Sequence, residues 1–192
     1  MARTKEFDPD LALHRAMELF WRKGYEATSM ADLVEHLGVA RASIYATFGG
    51  KRELYLQAYE RYLENGVDFT GRLGGPGPVL PAVRELVRQY AEEAAHDAQR
   101  RGCLVVNTAV ELAPHDTEIA RRVRVNWDFV EDSLAAALSG ARERGELAEG
   151  KDPRAIARLL LVVLQGLRVI GKASDDAARV RDAAEQALSL LD

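Results

Sequence analysis

The chain carries a single cysteine, Cys103, in 192 residues. An internal disulfide framework is therefore excluded, and the composition fits a reducing compartment. Long apolar runs are missing too. The longest strictly aliphatic stretch, Leu159 to Leu164, falls far below the roughly 20 residues of a membrane-spanning helix. Residues 1–10 hold Arg3, Lys5 and three acids but no apolar block, so no secretory leader is expected. The expected location is cytoplasmic, with no membrane partner. There is no glycine-rich phosphate loop and no nucleophile motif. His14, His36, His96 and His115 are scattered, without ligand spacing to Cys103. Neither an enzyme, a cofactor nor a metal site is expected. Aromatic residues make up only 7%, too few for a rich aromatic cage.

An excess of positive charge is also absent: the net charge is −4, which read globally argues against a nucleic-acid partner. Counted by segment it does not. Residues 1–62 hold nine of the 26 bases and nine of the 30 acids, so the whole deficit lies beyond them. Within the first part, Arg41, Lys51 and Arg52 bracket one short helical stretch, so positive potential can be local.

What is present has the helical period throughout, and the fold class expected is all-α. Asp8-Pro9 is a capping residue followed by proline at the first helical position. Leu13, Ala16, Met17 and Phe20 then share one face, and Gly24 supplies the stop. Thr28 or Ser29 caps the next helix; Ser29 with Asp32 has capping-box spacing, though with the shorter acid. Met30, Leu33, Val34 and Leu37 give a second one-faced pattern, ended by Gly38, and Val39 turns the chain inward. Ile44 and Phe48 are the buried side of a third helix, broken at Gly49-Gly50. Lys51 to about Gly66 forms a fourth, with Leu54, Ala58, Tyr62 and Leu63 inward.

The stretch Gly71 to Pro78 reads as the seam between two domains, over 6–66 and 79–192. Beyond it the pattern predicts helices over about 81–101, 103–112 and 116–144. Asp152-Pro153 repeats the cap-plus-proline start and opens a helix apolar almost all round (Ile156, Leu159 to Leu164, Leu167, Val169, Ile170). A helix apolar on every face must be buried on every face. With the last helix, about 176–191 and rich in alanine, it looks like half of a four-helix homodimer interface, the alternative being completion of a monomer core.

Met30 to Tyr45 reads as a helix-turn-helix, a unit that places one short helix in the major groove of double-stranded DNA. Gly38 permits positive φ at the turn and Val39 plugs the angle between the helices. The recognition helix, about 40–47, points Arg41, Ala42 and Ser43 toward base edges. Arg41 can bond guanine O6 and N7, and Ala42 can pack on a thymine methyl. Tyr45 and Thr47 are expected on backbone or a base methyl, with packing of Tyr45 against the fourth helix as the alternative. Thr28 and Ser29 suit a phosphate at a helix N-terminus. Arg3 and Lys5 can add an electrostatic arm.

The residues Ala16, Leu19-Phe20, Gly24-Tyr25, Thr28-Ser29, Leu33, Leu37-Gly38-Val39, Ser43-Ile44-Tyr45, Phe48, Lys51 and Leu54, at these spacings, resemble the DNA-binding domain of the TetR/AcrR family of bacterial transcriptional regulators. The resemblance implies a three-helix DNA-binding domain followed by a helical effector-binding and dimerisation domain. It implies a regulator, most often a repressor, released from a palindromic operator by a small-molecule effector. Lys51 resembles the family's phosphate-binding lysine. Two positions depart from the pattern: Ala40 stands where serine or threonine is common, which removes a capping hydroxyl, and Ala46 replaces a bulky aromatic or histidine.

In the second half, Arg101 to Glu111 is similar to a segment that borders the effector pocket in one subgroup of the family. Cys103 at a helix N-terminus beside Arg100 and Arg101 has the setting of a lowered thiol pKa. It is either an electrophile- or redox-responsive trigger or a small buried hydrophobe. Candidate effector contacts are Tyr90, Cys103, Asn107, Trp127, Val130 and Gln165, with Phe129 as a further pocket wall; Tyr90 and Trp127 read more readily as core residues than as ligand platforms. Arg168 interrupts an apolar helix, to pair an anionic effector or to meet an acid at the dimer edge.

Overall fold

A computed structural model describes residues 7–75 and 77–192; Arg3 and Lys5 lie outside the described residues. Among these there is no strand. The helices are α1 (Pro9–Lys23), α2 (Met30–Leu37), α3 (Arg41–Phe48), α4 (Lys51–Glu64), α5 (Phe69–Leu73), α6 (Val79–Ala95), α7 (Leu104–Glu111), α8 (Thr117–Glu143), α9 (Pro153–Ala173) and α10 (Ala177–Leu188), with a 3-10 turn at Ser189–Leu191. The chain divides after Val67 into two compact units.

In the first unit the predicted start signals close as written in the sequence. The Asp8 carboxylate accepts the amides of Asp10 and Leu11 at 2.9 and 3.2 Å, with Pro9 beginning α1. Ser29, not Thr28, caps α2. The Asp32 amide donates to Ser29 Oγ at 3.1 Å, and the Ser29 amide donates back to the Asp32 carboxylate at 2.7 Å. Aspartate is thus long enough for the box. Lys23 Nζ, at the end of α1, lies 2.7 Å from the same carboxylate, so one acid joins two helices. α2 ends at Gly38, whose φ of 66° is left-handed, and buried Val39 follows. α4 packs along α1, and Phe20, Leu33, Ile44, Leu54, Tyr55, Ala58 and Tyr59 close the core. The inner face of α4 differs from expectation. Tyr55 and Tyr59 are buried while Tyr62 and Leu63 are only half-buried, because Tyr55 stands edge-on to Phe20 at 5.0 Å.

The second unit corrects three boundaries. The supposed loop begins with a helical turn, α5, because the Asp68 side chain accepts the Gly71 amide at 2.8 Å. α6 starts at Val79, two residues ahead of Pro81. The Glu146 carboxylate accepts the amides of Val79 and Leu80 at 2.7 and 3.1 Å, a cap supplied from 67 residues away. α6 also ends at Ala95 rather than near Arg101. The Asp97 carboxylate takes the Gly102 amide at 2.8 Å, and Arg100 and Gly102 turn the chain with φ of 51° and 65°.

α9 is the hub, packed on α6, α7, α8 and α10. Its crossing of α6 needs a glycine: a Cβ on Gly171 would sit 2.3 Å from the Ala94 carbonyl oxygen. α10 is fastened to α6 by Arg88 on Glu185 (2.7 and 3.0 Å), Arg181 on Glu92 (2.6 and 2.8 Å) and Arg84 on the Leu188 carbonyl (3.2 Å), with Arg84 also holding Asp192 at the chain's end (2.6 Å). Ile156, Leu160, Leu164 and Leu167 of α9 face inward, but Leu159, Val162, Val169 and Ile170 are exposed, Val162 at 66%. Within one chain α9 is therefore buried on one side only.

The Asp32 carboxyl is held well below the usual carboxylate range, first by its hydrogen bond from Lys23 and then by the Ser29 amide and hydroxyl. A depressed folded value means that this stabilisation is complete above the unfolded carboxyl's pKa of about 3.9 and is lost as pH falls through the folded value. Asp32→Asn should lower the melting temperature at neutral pH, and the gap to the native chain should shrink below about pH 3.9. Thermal melts of the two proteins between neutral pH and strong acid check this; a gap that stays constant contradicts it.

Candidate nucleic-acid interface and sensor site

α3 is sealed at its back and open along its leading edge. Ile44 is fully buried and Phe48 nearly so, with Phe7 tilted against Phe48 at 6.3 Å. Arg41, Ala42, Tyr45, Ala46 and Thr47 are exposed and Ser43 is half-buried. Ala40, at the N-cap, makes no side-chain cap bond, so the missing hydroxyl leaves the first amides of α3 without a side-chain acceptor there. The Arg41 guanidinium carbon lies 5.8 Å from the centroid of the Tyr45 ring. A glycine-pair hinge returns the chain to α4. A Cβ on Gly50 would meet Glu53 Oε2 at 3.1 Å and Tyr45 Cε1 at 3.5 Å, so Tyr45 packs against the hinge while remaining 46% exposed. Its ring edge thus lies at the start of the fourth helix, and its exposed part leaves the DNA-facing alternative open to it.

Lys51, the first residue of α4, is half-buried. Its Nζ lies 4.1 Å from the centroid of the Tyr25 ring, a cation–π contact. Thr28 departs from expectation. It is fully buried and its hydroxyl donates to the Gly24 carbonyl at 2.6 Å, so it braces the turn and does not present a hydroxyl to phosphate. Ser29 is exposed, but its Oγ is engaged in the capping box and also donates to Asp32 Oδ2 at 2.7 Å. What the start of α2 offers outward is backbone, with Asp32 close by.

In the second unit, Tyr90, Cys103 and Asn107 gather near the end of α9. The Arg168 guanidinium carbon stands 4.5 Å from the Tyr90 ring centroid and Arg168 pairs with Glu93. Within the chain Arg168 already has an acid. Its acid comes from α6 of the same chain, because the residue sits on the α6 side of α9. Burial pushes the Tyr90 phenol up to about 12, with Arg168 opposing and Cys103 adding to the rise. Cys103 is the half-buried N-cap of α7. Arg100, expected beside the thiol, pairs instead with Asp175. Asn107 Nδ2 donates to the Arg101 carbonyl at 3.0 Å and Lys172 Nζ donates to Asn107 Oδ1 at 3.1 Å. Val130 is buried, Trp127 and Gln165 are half-buried, and Trp127 Nε1 is a buried donor with no hydrogen-bond partner among the described residues.

Sequence reasoning missed Glu93 and Lys172, whose partners are distant in the chain. Of a cleft of about 570 Å³ lined by Phe69, Leu73, Phe129, Ser133, Ala136 and Arg144, among others, it held only Phe129 as a candidate wall. The signal for that cleft was the small-residue stripe Ser133, Ala136, Ala137 and Gly140 on one face of α8. Among the described residues no group of three or more His, Cys, Asp or Glu could hold a metal ion, and no helix is long and apolar enough to cross a membrane.

Comparison with known proteins places this architecture. A family model described as "Bacterial regulatory proteins, tetR family" matches residues 12–58, and one described as "Tetracyclin repressor-like, C-terminal domain" matches residues 79–187. The HTH-type transcriptional regulator YezE of Bacillus subtilis is 40% identical over the full length of both chains. The HTH-type transcriptional repressor ComR of Escherichia coli is 31% identical over 87% of this chain and 80% of its own. A cysteine mutant of the TetR family regulator CifR, solved in complex with a 26-base-pair double-strand operator DNA, superposes with a TM-score of 0.85 at 30% identity, covering all of both chains. The two matched segments meet the two units seen here, and the chain belongs to the TetR family of bacterial transcriptional regulators.

Proposed function

We propose that the chain is a cytoplasmic, non-enzymatic repressor that binds a palindromic operator as a homodimer and leaves it when an effector is bound. The observation that carries this reading is the leading edge of α3: Arg41 and Ala42 stand exposed on a helix start with no side-chain cap, while Ile44 and Phe48 lock its back. Arg41 is assigned a guanine edge, Ala42 and Ser43 the neighbouring bases, and Tyr45 and Thr47 the flanking backbone or a base methyl. Lys51 is assigned a phosphate, and a second is assigned to the amides of Met30 and Ala31 at the start of α2, since the Ser29 amide is taken by Asp32. Thr28 supports the turn from within.

Two recognition helices must meet half-sites about 34–36 Å apart, which one chain cannot do alone. The exposed apolar stripe Leu159, Val162, Val169 and Ile170 on α9 is assigned to a second copy as a self-complementary surface. The effector is assigned to the group formed by Tyr90, Cys103 and Asn107, with Trp127, Val130 and Gln165 on the adjoining helices. Its charged groups, Arg168 and Lys172, are already paired within the chain, which favours an uncharged or electrophilic ligand over a simple anion. The cleft beside Phe69 and Phe129 favours a second reading of where a ligand enters, since its volume suits a small molecule.

Titration against the chain's own upstream DNA with random competitor, at several salt concentrations, tests the regulator. Arg41→Ala should cost about 1–3 kcal/mol and relax preference at one base position. Lys51→Ala should weaken all duplexes alike and reduce the salt slope by about 1. Equal affinity of the native chain for cognate and random DNA contradicts the reading. For the sensor, Cys103→Ser should abolish release by a thiol-reactive electrophile while leaving operator affinity intact; release that persists removes Cys103 as the trigger.

A further inference from the structure

We propose that Tyr25 is a positioning residue that holds the Lys51 ammonium in place for a DNA phosphate. The proposal rests on the assignment of Lys51 to phosphate made above. Tyr25 lies in the turn between α1 and α2, just after Gly24, whose φ of 86° directs the chain there. Its ring is not free to drift. It stands edge-on to Tyr55 at 4.9 Å and stacks beside Phe20 at 6.2 Å, and those two rings are themselves perpendicular at 5.0 Å. The inner partners, Phe20 and Tyr55, are buried. One face of this fixed aromatic cluster therefore carries the Lys51 ammonium, 4.1 Å from the ring centroid.

Lys51 needs such a holder for two reasons. It is the first residue of α4, behind a glycine N-cap with no side chain to offer. There the helix dipole presents its positive end, which disfavours a cation until an anion arrives. A lysine side chain also has four rotatable bonds, and freezing them on binding opposes association. The negative face of an aromatic ring offsets the first effect and limits the second. Lys51 as a residue is only half-buried, which leaves the side chain within reach of a phosphate oxygen. The ring fixes where the cation waits, and the cation makes the contact.

The test uses the full-length chain, a random-sequence duplex over a range of salt concentrations, and thermal melts in parallel. Tyr25→Phe keeps the ring and should bind as the native chain does. Tyr25→Leu keeps apolar volume without the ring and should weaken binding by about two- to fivefold, the range expected for an exposed cation–π contact. In a Lys51→Ala background the same Tyr25→Leu change should cost nothing further. A ring-fluorinated phenylalanine at position 25 preserves shape but removes the negative face, so it should match Tyr25→Leu in binding with an unchanged melting temperature. If the fluorinated ring binds DNA like phenylalanine, or if the Tyr25→Leu loss persists without Lys51, the proposal is overturned while the phosphate contact stands. If Lys51→Ala itself leaves affinity and salt slope unchanged, the assignment of Lys51 fails and the role of Tyr25 with it.

Discussion

Everything in the first unit depends on the angle between α2 and α3. Gly38 makes that angle possible: its φ of 66° is left-handed, a conformation that costs other residues roughly 1–2 kcal/mol. A Cβ there would touch nothing within 4 Å, so the requirement is one of backbone and not of space. Val39 then closes the corner, and Leu33, Leu37, Ile44 and Phe48 are buried around it. Fully burying side chains of this kind contributes about 1.5–3 kcal/mol each. That is ample to hold an eight-residue helix that lacks an N-cap side chain and would not be stable alone. The recognition surface is rigid because its back is packed.

The second unit answers to different forces. Its core is ordinary helix packing centred on α9, but its registration comes from polar contacts between residues far apart in sequence. Glu146 caps α6, and Arg84, Arg88 and Arg181 fasten α10 along one side of it. Each exposed ion pair is worth little by itself, typically 1 kcal/mol or less. Several in a row specify alignment more than they add stability. Arg168 and Lys172 tie the end of α9 to α6 and α7 through Glu93 and Asn107. The proposed effector site adjoins these ties, and the exposed apolar stripe proposed to face a second copy is on the same helix.

The all-helical architecture, the capped starts at Asp8, Asp152 and Ser29, and the turn at Gly38 were legible because each is written in neighbouring residues. Caps and periodic faces are local. The same locality explains the errors. α6 begins early because its cap is Glu146, which no window of adjacent residues contains, and it ends early because Asp97 takes a backbone amide that a helix would use otherwise. Thr28 looked like a phosphate ligand because hydroxyls and free amides converge at a helix start. Its burial and its bond to Gly24 are tertiary facts. Arg168 could be seen as anomalous on an apolar helix, but the sequence held no sign of Glu93 as its partner. The cleft on α8 was visible only as a stripe of small residues, which in most helices marks close packing and not an opening.

The uncapped start of α3 is the surface proposed to meet DNA. Site-resolved amide hydrogen exchange with and without operator tests it most directly. The amides of Arg41 and Ala42 should exchange rapidly in the free protein and become strongly protected by operator, but not by an equal concentration of random duplex at moderate salt. Protection that appears elsewhere while Arg41 and Ala42 exchange at their free rates would contradict the account.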